Sequence, residues 1–317
     1  SSTLIYTLYG GLKASIFTDN IQMIVIGVLL IISFIYITSF TGSKFSFDFV
    51  LKKNPQLLSS HYIPNYTAGL TFFIAVAATN LFHQGNWQRV YAAKNNNVLK
   101  RSLIYSALII FPIVFLMGYS GLVSVSIDNT TNPDLSFFRL FINPNNPLLS
   151  ILVIIFALSL TLSTIDTLIN AISSLVVIDG KTIIKERSDK LLKTSKYLIL
   201  LIAVIVFVIA SKGLSILYLF LLADLLCCCA VVPIFSGFFK KKINYQLSLY
   251  SLIFSLLGGL LIFPSPDFSK SILTNLLFTP DSFSGLFTTN LLFFSFMVGL
   301  LIPVIFNLLY SLRISLR

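Results

Sequence analysis

A stripe of polar side chains along the apolar segment Leu148–Ile178 is the clearest indication of chemistry in this sequence. It combines hydroxyl, amide and carboxylate groups at spacings of three and four residues, namely Ser159, Ser163, Asp166, Thr167, Asn170 and Ser174. At about 100° per residue, these positions fall within about one third of a helix circumference. Polar groups are costly at membrane depth unless something solvates them, so the stripe must face protein, water or an ion.

Two interpretations of the stripe are open. Ser, Thr and Asn side chains commonly pack at interfaces between membrane helices, so the hydroxyls alone fit a structural role. Asp166 favours a translocation pathway instead, because a carboxylate inside an apolar segment is typical of ion and substrate routes. We therefore predict that Asp166 lies on a cation pathway.

Acidic residues also occur at two other apolar segments. Thr18 or Asp19 is predicted to cap the helix that begins at Ile21, and Asp19 would also place a carboxylate where it attracts a cation at the cytoplasmic mouth. Asp224 is the only charge in Leu214–Phe239. It is interpreted either as a contact for a cation or substrate, or as an ion-paired or protonated acid within the bundle.

The segment from Tyr66 to Arg89 predicts an interrupted helix. About a dozen mostly apolar residues are followed by the polar run Ala78–Arg89, before a bilayer crossing at helical rise is complete. Freed backbone groups and the side chains of Thr79, Asn80 and Gln84 would then line a cavity. His83 lies within this run and is either a hydrogen-bonded structural residue or a proton carrier.

The elements that must position these groups are membrane spans. The chain is 56% hydrophobic and 10% charged, with a mean hydropathy of +0.92, values that indicate an all-α polytopic membrane protein. Eight spans are predicted: Ile21–Phe40, Tyr66–Phe82, Leu103–Val125, Leu148–Ile178, Tyr197–Ala210, Leu214–Phe239, Leu247–Phe263 and Leu291–Leu312. Cys227, Cys228 and Cys229 point in three directions on one helix and are predicted to be packing residues.

The basic residues indicate the orientation of the spans. The net charge of +11 would suit a nucleic-acid partner, but the charges sort by loop and form no single patch. If the N-terminus is cytoplasmic, every second segment between the spans is cytoplasmic as well, and these segments hold 16 of the 22 Lys and Arg residues. We expect a lipid bilayer as the environment, with the plasma membrane as its location, and no nucleic-acid partner.

Three ordered motifs resemble the sodium:solute symporter family. Tyr6–Gln22 is similar to its Gly-Gly-Leu, Ala and Thr-Asp-x-x-Gln signature, and Trp87–Lys94 to its Gln-Arg-x-x-Ala-Ala element. Leu162–Leu168, followed by Asp179, is similar to its Ser-Thr-x-Asp-Ser motif with a trailing Asp. The Trp-Gln-Arg form of the second motif looks most like the branch that contains urea symporters.

The resemblance implies two inverted repeats of five helices, as in the leucine-transporter fold. Residues 1–317 would form a single transmembrane domain that is N-terminally truncated and lacks the first four core helices. Within it, 1–40 would be the fifth core helix, 66–239 the second repeat and 247–312 the peripheral helices. The family's sodium ion would then contact the hydroxyls of Ser163 and Thr164 and the carbonyl of Leu160, with the remaining ligands on the absent first core helix.

The function implied is secondary active transport, with no catalysis and no cofactor beyond sodium as coupling ion. A small polar organic solute such as urea or an amino acid would bind at Thr79, Asn80, Gln84 and Asp224, and alternating access would carry it inward. The family's sugar carriers have Tyr-Trp where Thr79-Asn80 stands here, which argues against a sugar. The alternatives are a proton-coupled symporter of the same fold, a proton-pumping respiratory subunit, and a channel or scaffold built on this fold.

Overall fold

Helices make up all the regular structure of the described chain. The computed structural model describes residues 2–44, 47–127, 133–142, 147–184, 186–238, 244–276 and 285–315. The helices are α1 Ser2–Lys44, α2 Phe47–Lys53, α3 Ile63–Phe82, α4 Gln84–Ala92, α5 Asn96–Ile127, α6 Ser136–Arg139, α7 Pro147–Ile184, α8 Ser188–Ala210, α9 Ile216–Phe235, α10 Tyr245–Ile262, α11 Ile272–Leu276, α12 Gly285–Thr288 and α13 Leu291–Ser315. Short 3₁₀ turns lie at Pro55–Leu58, Pro133–Leu135 and Ser236–Phe238.

Seven helical segments of the described chain are long and apolar enough to cross a membrane. They are Phe17–Ser39, Asn96–Ile127, Pro147–Ile184, Asp189–Ala210, Ile216–Phe238, Tyr245–Ile262 and Leu291–Tyr310. The prediction of an all-α polytopic membrane protein is confirmed. The count of eight spans is not matched, because α3 is not among these segments: its 20 residues include the polar Asn65 near the start and Asn80 near the end.

The first span does not begin where the sequence predicted. Helix α1 runs without interruption from Ser2 to Lys44, so Thr18 and Asp19 lie inside it and the prediction that either caps a helix start is wrong. The residues before Ile21 are themselves helical, and the backbone amides that a cap would satisfy are already paired within the helix. The two polar side chains bond α7 instead.

The helix breaks at His83, within the predicted polar run, and the division of one membrane span at this point stays a prediction. Helix α3 ends at Phe82, His83 adopts an extended backbone with φ −73° and ψ 100°, and α4 begins at Gln84. The His83 amide still donates to the carbonyl of Asn80, at 3.4 Å. The buried Nδ1 of His83 has no hydrogen-bond partner among the described residues.

The chain divides into two compact units. The first consists of Ser1–Leu58 with Gln84–Lys212, and the second of Ser59–His83 with Gly213–Arg317. In the first unit α7 packs against α1, α4 and α8. A buried apolar cluster of Ile37, Val123, Phe141 and Val153 joins α1, α5 and α7 to the segment after α6. This packing turns the polar face of α7 towards other helices of the unit.

The second unit is built on α3, α9, α10 and α13. Its core contains Ala75 and Ala78 from α3, Leu221 and Leu225 from α9, and Phe296 from α13. Cys228 and Cys229 are fully buried in the same cluster and Cys227 is half-buried beside it. The prediction that the three cysteines are packing residues is confirmed.

A short loop with an ionised acid connects α10 to α11. Asp267 accepts hydrogen bonds from the hydroxyls of Ser265 and Ser269, and these bonds lower the pKa of Asp267 to about 2. Asp267 is therefore anionic throughout the physiological pH range. Phe268 follows in the left-handed region with φ 57°, and its ring contacts Tyr218 on α9.

Small residues allow α10 and α13 to approach closely. The Ser255 hydroxyl of α10 donates to the carbonyl of Gly299 on α13, and the Ser295 hydroxyl of α13 donates back to Gly259 on α10, at 2.8 Å. A Cβ placed on Gly258 would lie 2.9 Å from Ile302 Cδ1 and 3.0 Å from Val298 Cγ1. The contact thus has no room for a branched side chain at Gly258.

Gly258→Val is expected to destabilise the protein by about 1–3 kcal/mol, because the extra methyl groups overpack this contact. The matched control is Gly69→Val on α3 of the same unit, where no atom lies within 4 Å of the added Cβ. Melting temperatures of the purified full-length protein in one detergent would measure both. Equal melting temperatures for the two variants would contradict the close approach of α10 and α13.

Candidate functional site

The polar face of α7 is joined to α1 by two side-chain hydrogen bonds. The Ser163 hydroxyl donates to Asp19 Oδ1 at 3.0 Å, and the Thr18 hydroxyl donates to Asp166 Oδ2, also at 3.0 Å. The pairing is crosswise, since each helix supplies one carboxylate and one hydroxyl. The stripe predicted on α7 therefore faces protein, and its acid and hydroxyls meet a second acid, that of Asp19.

Asp166 is the most enclosed member of this network. Its side chain is fully buried, and its Oδ1 accepts a hydrogen bond from Asn170 Nδ2 at 3.1 Å. The Asn170 carbonyl in turn accepts from Gln88 Nε2 of α4, at 3.3 Å. Both Asp166 oxygens thus receive hydrogen bonds, which is what a buried carboxylate requires.

Arg89 of α4 adds a positive charge at the edge of the network. Its Nη2 lies 3.0 Å from Asp19 Oδ2 and 3.2 Å from Thr167 Oγ1, and its Nη1 donates to the Gly85 carbonyl at 3.1 Å. The Arg89 side chain is 52% exposed and that of Asp19 is 21% exposed, so water screens the ion pair and its contribution to stability is small. Its guanidinium nevertheless connects three helices, α1, α4 and α7.

We call these residues the Asp19–Asp166 network. Its members are Thr18, Asp19, Arg89, Ser163, Asp166, Thr167 and Asn170. All of them belong to the first unit. Two carboxylates and one guanidinium give it a net negative formal charge, and three hydroxyl oxygens lie beside the acids. Such a group of oxygens attracts and can coordinate a hard monovalent cation.

The three residues expected to hold sodium, Leu160, Ser163 and Thr164, lie within about one turn of α7. Ser163 is itself a member of the Asp19–Asp166 network. Ser163 is half-buried against α1, whereas the Thr164 side chain is exposed and its hydroxyl donates to the Leu160 carbonyl at 2.9 Å. A hydroxyl that donates keeps its oxygen lone pairs, and a carbonyl that accepts one bond keeps a second lone pair. All three oxygens therefore remain chemically able to contact a cation.

In the second unit the structure joins two of the residues expected to contact solute. The Thr79 hydroxyl of α3 donates to Asp224 Oδ1 of α9, and Asp224 is fully buried. Asn80 is exposed, and its amide donates to the Val76 carbonyl of its own helix at 2.8 Å. Thr79 and Asp224 thus form a hydrogen-bonded pair, while the amide of Asn80 bonds back to α3.

Gln84, the fourth residue expected to contact solute, lies in an open cleft of the first unit. The cleft has a volume of about 510 Å³ and is lined by α4, α7 and α8. Its polar lining includes Gln84, Gln88, Asn170, Ser173 and Ser174. The side chains of the polar face of α7 therefore extend from the Asp19–Asp166 network into a cleft of a size suited to a small solute.

The sequence of this chain also matches a known protein family. The model of the sodium:solute symporter family matches residues 1–255. This chain belongs to that family. The motifs around Asp19, Arg89 and Ser163, which first indicated the resemblance, all lie within the matched range.

One curated relative of this chain has a named solute. Residues of the chain are 29% identical over 246 aligned positions to a Candida albicans protein named Spermidine transporter DUR31. The alignment covers 74% of this chain and 44% of the Candida protein, so the chain spans less than half the length of that relative. No solved structure gave a significant match.

Part of the Asp19–Asp166 network is not predicted from the sequence. Thr18 is predicted only as a helix cap, and Arg89 stands only within the polar run Ala78–Arg89 and the Gln-Arg motif. Their partners lie 148 and 70 residues away along the chain, a separation that spacing rules on one helix do not reach. The signal that could have found Arg89 is Asp19, an acid in the motif that precedes the Gln-Arg element in this chain.

Proposed function

We propose that the full-length protein containing this chain couples the sodium gradient to the uptake of a small polar organic solute. Family membership supports solute transport as such and favours it over the respiratory-subunit alternative. The observation that carries sodium coupling is the crosswise pairing of Ser163 with Asp19 and of Thr18 with Asp166. Two carboxylates and neighbouring hydroxyls thereby lie at the contact between two membrane helices, α1 and α7, where a cation is the natural counter-charge.

In this proposal sodium binds at one edge of the stripe on α7. Its ligands are the Leu160 carbonyl and the hydroxyls of Ser163 and Thr164, because sodium prefers hard oxygen donors. Asp19 and Asp166 are not ligands of the bound ion but attract it along the pathway to the cytoplasm. Arg89, which bonds Asp19, would compete with the ion as it leaves.

Sodium would drive transport by changing the relative stability of two conformations. Binding stabilises the conformation open to the outside, which then accepts solute, and release to the low-sodium cytoplasm reverses the preference. The candidate solute contacts are taken separately in each unit: Thr79 and Asp224, with Asn80 at the end of α3, in the second, and Gln84 in the cleft of the first. Urea, amino acids and, from the printed name of the Candida relative, polyamines are the candidate solutes.

Uptake by proteoliposomes with and without a sodium gradient tests the sodium site. Ser163→Ala with Thr164→Ala is expected to weaken sodium activation at least several-fold, because two of the three oxygen ligands lose their hydroxyls. The matched control is Thr161→Ala on the same helix. Thr161 is exposed, and its hydroxyl bonds the Ala157 carbonyl in the same way that Thr164 bonds Leu160.

Unchanged sodium activation in the double variant would contradict the assignment. A proton in place of sodium is the second candidate, favoured by the complete burial of Asp166 and Asp224 within spans. Uptake driven by a pH gradient in sodium-free buffer would establish it. Asp166, Asp224 and His83 would then be the groups to replace.

A further inference from the structure

Asp224 is a buried acid with an unused hydrogen-bonding atom. It lies in the membrane span Ile216–Phe238, and its side chain has no exposed surface. Oδ1 accepts the hydroxyl of Thr79, but Oδ2 has no hydrogen-bond partner among the residues that the structure describes. Buried polar atoms are nearly always paired, so an unpaired carboxylate oxygen in an apolar span indicates a missing ligand.

No basic side chain of the neighbouring helices can serve as that ligand. Helices α3, α10 and α13 pack against α9, and neither α3 nor α10 contains Lys, Arg, Asp or Glu. Helix α13 carries Arg313 in its last turns, about 25 Å along the helix axis from Phe296 at the helical rise. Phe296 packs in the same core cluster as Leu225, the residue after Asp224.

Apart from His83 at the end of α3 and Arg313 on α13, the titratable groups of these helices are thiols and phenols. Cys227 and Cys228 are thiols on α9 itself, and the remaining titratable side chains of α3, α10 and α13 are tyrosines. The immediate surroundings are the small apolar residues Ala75 and Ala78 and the larger Leu221 and Leu225. Among the described residues, the carboxylate thus receives one hydroxyl bond and forms no ion pair.

We propose that Asp224 and Thr79 bind an ammonium group of the transported solute, so that the solute is an amine. The inference rests on the proposed transport function and narrows its solute class. An ammonium group supplies the missing charge and donates a hydrogen bond to Oδ2, while the Thr79 oxygen can accept a second N–H. A neutral solute such as urea could bond Oδ2 but would supply no counter-charge to the carboxylate.

A cavity on the same side of α3 provides a place for the rest of the solute. It has a volume of about 190 Å³ and is lined by Thr67, Thr71, Phe72, Leu221, Phe268 and Asn290 among others. Its hydroxyl and amide oxygens accept hydrogen bonds, and its aromatic rings favour cations. Leu221 lies one helical turn from Asp224, so the cavity and the acid share the contact between α3 and α9.

The spacing along α3 indicates the shape of the amine. Thr67, Thr71, Ala75 and Thr79 follow each other at intervals of four residues and share one face of the helix. Thr71 in the cavity and Thr79 at the acid are about 12 Å apart at the helical rise, and the side chain between them is alanine. A linear diamine or triamine could extend along this face when α3 and α9 separate, which a short monoamine could not.

Direct binding of radiolabelled spermidine to the purified full-length protein tests this proposal. We expect Asp224→Asn to weaken spermidine binding about tenfold or more, because the charge-assisted hydrogen bond is lost. Asp224→Glu should retain part of the affinity. The matched control is Asp267→Asn, an acid of the same unit whose carboxylate bonds Ser265 and Ser269 outside the spans, and its affinity should equal that of the wild type.

Three results would overturn the proposal. Spermidine could bind Asp224→Asn with wild-type affinity, the wild type could bind urea but not amines, or putrescine and spermidine could compete no better than methylamine. If Asp224→Asn does not fold, Thr79→Val and Asp224→Glu decide instead, and wild-type affinity in both would refute it. Spermidine binding measured with and without sodium distinguishes amine binding at Asp224 from sodium coupling. If the protein binds spermidine equally well without sodium, only the sodium-coupling proposal is contradicted.

Discussion

Asp166→Ala is expected to lower the initial rate of solute uptake by the full-length protein at least about tenfold. Asp166 is fully buried and accepts hydrogen bonds from Thr18 and Asn170. Its removal takes one acceptor from the Thr18 hydroxyl and one from the Asn170 amide, which keeps the Asp166 backbone carbonyl at 3.3 Å, and it takes one negative charge from the Asp19–Asp166 network. The first effect costs about 1–3 kcal/mol of stability, and the second removes part of the proposed cation pathway.

Asp166→Asn separates these two effects. The asparagine keeps the shape and one acceptor oxygen, so its melting temperature should stay close to that of the wild type. If the charge matters, its sodium activation should fall as far as that of the alanine variant. Asp189→Ala, at an exposed acid 3.8 Å from Arg187, is the control and should transport normally. Normal uptake by Asp166→Ala at equal protein levels would refute a role in the pathway.

Arg89→Ala is expected to reduce uptake by a similar factor with little change in melting temperature. The ion pair with Asp19 is too exposed to contribute much stability. However, the guanidinium holds α4 to α1 and α7 through Asp19 and Thr167. Arg89→Lys should have an intermediate rate, because a single ammonium group cannot reproduce the fork that bonds Asp19, Thr167 and Gly85 together.

A double-mutant cycle measures whether Arg89 acts through Asp19. If it does, Arg89→Ala in an Asp19→Ala background should cost much less than in the wild type. Initial uptake rates of the wild type, both single variants and the double variant complete the cycle. Additive losses would show that the two residues act separately, and this explanation of Arg89 would then fail.

The sequence predicted the polar helices better than it predicted their partners. The stripe on α7 follows from spacing within one helix, and it does face neighbouring helices. The bonds from Thr18 to Asp166 and from Arg89 to Asp19 depend on how distant segments pack, which no local pattern contains. The same limit explains α1: Thr18, Asp19 and Asn20 favour a helix start locally, but pairing with α7 satisfies two of them inside a continuous helix.

In the second unit, too, the sequence predicted the polar residues better than their partners. Asp224 and Thr79 were each singled out as solute contacts from their chemistry, but their hydrogen bond across α3 and α9 was not foreseen. The close contact of α10 with α13 was missed altogether. A signal was present in Ser251, Ser255 and Gly259, small residues at intervals of four that are all buried and that mark helix contacts in membranes. This signal is weak, because none of these three residues carries a charge.

The reciprocal bonds between α10 and α13 restrict which movements the second unit can make. A displacement of one helix along the other by a single turn, about 5.4 Å, would carry Ser255 away from Gly299 and Ser295 away from Gly259 at the same time. Both hydroxyls would then lose their present acceptors. Sliding of these two helices is thereby disfavoured, and they should move together in any conformational change of the second unit.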